Sequence, residues 1–265
     1  MRRLKTLIAA VCFAAPAAAD GIEVDLELVL MVDVSRSMTV RELEIQRRGY
    51  AAALASEEVF EAVQSGLLQR VALTYVEWAG TQEVVVDWQV LGTRDDLLAF
   101  AEKLSATFNP ALRRTSISGA VRFGAELIST NDYEGLRRVI DVSGDGPNNE
   151  GSPVGEARDA ALAQGIVING LPLMTREGMG TRWHLDDLDV YYERCVTGGP
   201  GSFVIPVRDW DDFAEAVRRK LVLEMAAAPQ RERVVPAQFE PPSSYDCLVG
   251  EKMWQQRREF WRDDR

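Results

Sequence analysis

Short apolar runs alternate with stretches of helical period along this chain from Leu26 to about Met225. The runs Leu26 to Val32, Val139 to Val142, Ile166 to Leu171 and Phe203 to Val207 read as strands. They lack the regular alternation that one solvated face imposes, as buried parallel strands do. Val71 to Glu77 and Glu83 to Val90 are two further β-rich runs, parted only by Trp78-Ala79-Gly80-Thr81-Gln82. A link that short forces a hairpin, so one of the two runs antiparallel to the rest.

Helices are expected between them. Thr39-Val40-Arg41-Glu42 reads as a capping box opening a helix toward Glu57. Others are expected from Thr93 to about Ala106, from Ser116 to Ile128 and from Pro153 to Gln164. The last opens at Asp209 or Trp210 and carries Phe213, Val217 and Leu221 on one face. Repeated β-then-α units predict an α/β fold with a doubly wound, mostly parallel six-stranded sheet and helices on both faces. With the order 3-2-1-4-5-6, strands one and four are neighbours where the order reverses, and ligands of such sheets sit outside the strand ends at that point. Asp33 follows strand one and Asp145 follows strand four, so the two carboxylates are expected to converge.

One domain is expected over residues 20–226. Beyond it, Pro229, Pro236, Pro241 and Pro242 mark an extended tail over 227–265. That tail carries Cys247, then Trp254, Arg258 and Trp261 at helical spacing, and is expected to dock on its own domain.

Residues 1–19 change the setting. A basic start (Arg2, Arg3, Lys5), an apolar core from Leu7 to Ala15 and Ala17-Ala18-Ala19 describe a secretory signal peptide, cleaved near Ala19. The core is too short to span a bilayer, and Val11 before Cys12 does not suit a lipid anchor. The mature chain is thus expected to be exported, to the periplasm or beyond. Cleavage removes three of the 30 basic residues and none of the 41 acidic ones, taking the formal charge from −11 to about −14. So acidic a chain argues against nucleic acid or anionic lipid as partner. It also leaves Cys195 and Cys247 as an even pair in an oxidising compartment, either bridged or as two free thiols.

The candidate chemistry lies at the strand ends. In Asp33-Val34-Ser35-Arg36-Ser37 the polar residues stand at alternate positions, so in extended or gently turning backbone they share one side. With Asp145 they form a set of hard oxygen donors that suits Mg2+ or Mn2+.

These residues resemble the metal-ion-dependent adhesion site of the von Willebrand factor type A domain, written Asp-x-Ser-x-Ser, a later Thr, and Asp-Gly. The second part is similar to Thr115-Ser116-Ile117-Ser118-Gly119-Ala120-Val121, and the third to Asp145-Gly146-Pro147-Asn148-Asn149. The resemblance covers roughly residues 24 to 226. It implies a Rossmann-like sheet with the antiparallel strand at an edge, and Asp33, Ser35, Ser37, Thr115 and Asp145 as metal ligands. It further implies a binding module rather than an enzyme, with a partner carboxylate completing the ion. One departure is Gly144, where the family more often has Thr; it is expected to loosen the turn. The tail, and the stretch from Tyr191 through Cys195 to Gly201, fall outside the general pattern and point to a bacterial exported subfamily of unassigned function.

The rival is a Mg2+-dependent phosphatase of the haloacid-dehalogenase class with Asp33 as nucleophile. That class usually carries a second carboxylate two residues on to protonate the leaving group, where this chain has Ser35. A serine hydrolase fits less well: His184 is the one histidine, and no Gly-x-Ser-x-Gly elbow occurs. Nothing after strand one reads Gly-x-Gly-x-x-Gly, so a dinucleotide site is not expected.

Overall fold

In a computed structural model that describes residues 21–106, 114–175, 184–226 and 245–263, five strands form one sheet. They are Ile22–Asp33 (β1), Val71–Trp78 (β2), Gln82–Leu91 (β3), Tyr133–Gly144 (β4) and Val167–Pro172 (β5), in the order β3-β2-β1-β4-β5. β1 pairs in parallel with both β2 and β4, and β5 in parallel with β4; β3 alone is antiparallel, at the edge. The proposed signal segment 1–19 and the prolines of the tail lie outside the described residues.

Five strands rather than six correct the sequence reading, and the cause is one proline. Phe203 to Val207 does run beside β5, donating from Ile205 N to Gly170 O (3.0 Å) and from Val207 N to Pro172 O (2.9 Å). In return it accepts from Gly170 N at Phe203 O (3.1 Å) and from Met174 N at Val207 O (2.7 Å). The bond between these would come from the N–H of residue 172, which proline lacks. The segment is thereby reduced to the isolated bridges Gly170–Val204 and Leu173–Val207.

Helices cover both faces. Val40–Leu54 (α1), Glu57–Gln64 (α2) and Arg94–Ala106 (α3) belong to one side with Phe213–Met225 (α7). Ile117–Thr130 (α4), Val154–Ala163 (α5) and the short Leu188–Tyr191 (α6) belong to the other. β1 explains the division: Leu26, Leu28, Leu30 and Val32 join the first core, Val29 and Met31 the second, and all are buried. This is period-two alternation with both faces covered. The single helix expected from Val40 to Glu57 is two helices, because Ser56 accepts from Val59 N and caps α2 after α1 has ended at Leu54.

The tail re-enters the described structure at Tyr245 and forms a helix, Val249–Asp263 (α8). Cys195 and Cys247 are joined by a disulfide with their Cα atoms 5.5 Å apart. Among the described residues no helix is long and apolar enough to cross a membrane.

Candidate metal centre

The register of the sheet brings the two acidic strand ends together. Val32 lies opposite Ser143, so Asp33 and Gly144 leave the sheet side by side and Asp145 follows one residue later. Val34 N donates to Trp78 O (2.9 Å), which turns the chain over the end of β2. Within that turn Ser35 N donates to Asp33 Oδ1 (2.7 Å). Ser37 Oγ donates to Asp145 Oδ1 (2.8 Å) and lies 2.9 Å from Ser35 Oγ. Four of the five residues singled out in the sequence are thus in one hydrogen-bonded cluster.

Thr115, the fifth, reaches the same rim through its backbone. Its N–H donates to Asn149 Oδ1 (3.2 Å) and its carbonyl accepts from Asn149 N (3.0 Å), while Ser116 N donates to Ala79 O (3.0 Å). The Thr115 loop is thereby fastened to the Asp145 loop on one side and to the β2–β3 hairpin on the other. Arg114 before it adopts φ 72°, a left-handed turn uncommon for a residue with a side chain.

Electrostatically the cluster is poised for a cation. Asp33 is fully buried, and its Oδ2 meets no donor in hydrogen-bonding geometry among the described residues. Burial, and then repulsion from Asp145, hold its carboxyl well above the ordinary range, against the Ser35 N–H that favours the charge. Asp145 is pushed up to about 6, chiefly by burial, with the Ser37 hydroxyl opposing and Glu42 adding to the rise. A buried carboxylate oxygen without a donor, beside a second acid and two hydroxyls, fits a hard divalent ion: the ion would neutralise the charges that burial penalises. Among the described residues no three His, Cys, Asp or Glu side chains group as a metal cage, so the donor set here is carboxylate plus hydroxyl.

Several residues that serve this centre are not evident as such in the sequence. Gly144 does not loosen the turn; a β-carbon there would stand 2.8 Å from Tyr192 Oη and 2.9 Å from Asp33 Oδ2, so glycine makes room for both. Gln46 of α1 donates to Asp33 O (3.0 Å) and fixes the end of β1. Glu42 completes the expected capping box, accepting from Thr39 N (2.6 Å), and its other oxygen accepts from Trp210 Nε1 (3.0 Å). That bond ties the turn after Ser37 to the segment that opens α7. Only the S/T-x-x-E pattern at Thr39 could have drawn attention to Glu42, and it says nothing of Trp210. His184 has its Nε2 3.5 Å from Asp186 Oδ1.

Comparison with known structures places the fold. A von Willebrand factor type A protein from Catenulispora acidiphila aligns with TM-score 0.50 and 15% identity, over 76% of this chain and 43% of that one. Proximal thread matrix protein 1 of the mussel byssus, solved with a zinc-occupied MIDAS motif, aligns with TM-score 0.52 and 12% identity, over 78% of this chain and 49% of that one. The pilus adhesin SpaC from Lactobacillus rhamnosus GG aligns with TM-score 0.55 and 12% identity, over 76% and 31% respectively. This chain therefore spans about half the length of the mussel protein and about a third of the adhesin. None of the curated proteins matches it in sequence. The family model described as Protein of unknown function (DUF1194) matches residues 23–229, and the chain belongs to that family, on the fold of a von Willebrand factor type A domain.

Proposed function

We propose that this protein is an exported, metal-dependent protein-binding module of the adhesion type. The observation that carries the proposal is the buried Oδ2 of Asp33, which meets no donor in hydrogen-bonding geometry among the described residues, inside a cluster of Ser35, Ser37 and Asp145. Asp33, Ser35, Ser37, Thr115 and Asp145 would hold Mg2+ or Mn2+. When bound, the ion supplies a Lewis-acidic point at which a carboxylate can replace water. Two carboxylates balance a divalent ion only formally, and the hydroxyls add no charge, so an Asp or Glu from a partner is the ligand the site favours.

The chain's own residues prepare that contact. Ser35 N–H and Gln46 hold Asp33 and the end of β1, and the Ser37 hydroxyl orients Asp145. Arg36 is exposed within the Asp33–Ser37 turn, a local positive charge on an otherwise acidic chain. Attraction of an acidic partner is therefore local to the site rather than steered by the whole surface. The structural neighbours that include an adhesin and a zinc-occupied MIDAS motif support the reading, and the Cys195–Cys247 disulfide supports an oxidising, exported setting.

Calorimetric titration with Mg2+ or Mn2+ tests the proposal. One site is expected, lost in Asp33→Ala and weakened in Thr115→Ala. Equal binding by wild type and Asp33→Ala would overturn it. Metal-dependent phosphatase turnover removed by Asp33→Ala would instead favour the haloacid-dehalogenase reading.

A further inference from the structure

α8 lies beyond residue 229, where the family match ends, yet its contacts converge on the two loops of the metal centre. Glu251 Oε1 accepts from Asn148 Nδ2 (2.7 Å), three residues after Asp145. Gly250 packs so closely on Asn148 that a β-carbon would overlap the Asn148 carbonyl oxygen. Trp254 places its ring 5.7 Å from the guanidinium carbon of Arg114, the residue before Thr115, and Arg114 in turn donates to Glu150 (2.7 Å). The start of the segment is fastened independently. Cys247 is bridged to Cys195, the Tyr245 ring meets Tyr191 at a tilt with 6.2 Å between centroids, and Tyr245, Cys247 and Val249 pack against the second core.

Asn148 is the hub of these contacts and is completely buried. Its N–H donates to Tyr191 Oη (3.1 Å), and its Oδ1 accepts from Ser118 N at the start of α4 (3.0 Å). Its Nδ2 divides between Ser152 O (3.2 Å) and Glu251. Every polar atom of the Asn148 side chain is thus engaged, and the strongest of these bonds, to a carboxylate, comes from α8. The next residue, Asn149, clasps both backbone groups of Thr115, accepting from its N–H at the side-chain Oδ1 and donating its own N–H to its carbonyl. A movement of α8 is therefore felt by Asp145 through Asn148, and by Thr115 through Arg114 and Asn149.

We infer that the C-terminal helix is a disulfide-tethered brace that fixes the Asp145 and Thr115 loops relative to each other, with Glu251, Gly250 and Asn148 as positioning residues for the metal centre. This rests on the metal reading proposed above. Buried hydrogen bonds of this kind favour one arrangement of the groups they join. Partners one shell out from a metal typically change its affinity ten- to hundredfold. Reduction of the Cys195–Cys247 bond by a dithiol, two electrons passing to the sulfurs as the dithiol closes to its own disulfide, would release the tether and loosen the same loops.

The test compares wild type with Glu251→Ala, Gly250→Ala and Glu251→Gln by two readouts. The first is hydrogen exchange at 114–116 and 145–150 in metal-free protein. About tenfold faster exchange is expected in Glu251→Ala and Gly250→Ala, with Glu251→Gln near wild type because its amide oxygen still accepts from Asn148. The second is Mn2+ affinity by electron paramagnetic resonance, expected to fall about tenfold or more in the first two variants and to be restored in the third. Unchanged exchange in Gly250→Ala and Glu251→Ala would overturn the brace. Faster exchange with unchanged Mn2+ affinity would overturn the positioning role. Wild-type protein that binds no Mn2+ would overturn the metal reading itself, while the exchange readout still decides the brace. The Cys195→Ser/Cys247→Ser variant adds the tether; the single α8 variants, with the disulfide intact, keep the test decisive where that variant fails to fold.

Discussion

Asp33→Asn should make the metal-free protein more stable while abolishing metal binding. The substitution keeps the acceptor for Ser35 N–H, bonded at 2.7 Å to Oδ1, and removes a negative charge from a fully buried site beside Asp145. The neighbouring acid sets the scale of burying a carboxylate in this cluster. Asp145 is raised from an ordinary 3.8 to about 6, and at 1.36 kcal/mol per tenfold change in proton affinity that corresponds to about 3 kcal/mol against its ionised form. That rise comes chiefly from burial; Asp33 carries its own burial penalty and, second to it, repulsion from Asp145, so a gain of about 1–3 kcal/mol is expected near pH 8. For a chain of this size, each kcal/mol moves the midpoint by about 2–4 °C. The sign is set by the direction of the shifts. Carboxyls whose pKa is raised on folding contribute stability that is present below about pH 4 and is lost as pH rises through about 6. The advantage of Asp33→Asn should therefore shrink steeply by about pH 4, where both carboxyls are protonated in the folded state, and vanish below it as the unfolded chain protonates too. Scanning calorimetry with EDTA at the two pH values measures this. Adding Mn2+ at about a hundredfold excess over Kd should stabilise wild type by about 2.7 kcal/mol and leave the variant unmoved. A variant destabilised near pH 8 without metal, or equally stabilised by Mn2+, would refute the reasoning.

Mn2+ affinity should rise with pH through about 6, because Asp145 must lose its proton to ligate; titrations that agree between about pH 5 and pH 8 would count against Asp145 as a ligand. Lys220→Met should destabilise by about 3–5 kcal/mol in urea unfolding, since Lys220 pairs at 2.6 Å with both Asp141 and Glu224 where all three are buried. The loss should be larger above than below about pH 7, to which Asp141 is raised chiefly by burial, because protonation discharges the carboxylate left without its lysine. A loss under about 1 kcal/mol at pH 8 would show that the ion cluster does not hold α7 to the sheet.

Local pattern carried much of this protein's architecture. Both-face burial of β1 is written in the run Leu26 to Val32, because a central parallel strand needs apolar side chains on alternate positions of each face. The five-residue link after Val71–Glu77 is too short for a crossover, so an antiparallel strand followed from chain geometry alone. The order of the strands then placed Asp33 and Asp145 side by side. Ser37 meeting Asp145 at 2.8 Å, 108 residues on, is the consequence of two strand ends lying side by side. Ser56, by contrast, is a cap set inside a long helical pattern, and it splits α1 from α2.

Other features depend on pairings that no local pattern specifies. Pro172 interrupts the sixth strand only because its absent N–H faces Phe203 to Val207, a partner chosen by the path of the chain between them. Gly144 reads as a loose turn in sequence and as a tight fit in space, since Tyr192 arrives from a different segment. Asp141 and Lys220 look like interruptions of apolar stretches until the sheet and α7 bring them to 2.6 Å. The same holds for the tail: helical spacing and one cysteine foretold a docked helix, but not that Glu251 would land on Asn148. Sequence by itself determined most of the elements, their parallel order and the meeting of Asp33 with Asp145, because periodicity and strand ends are properties of the backbone. Which distant side chains neutralise, crowd or brace that donor set was decided only by tertiary structure, where packing selects one partner among many of the same chemistry.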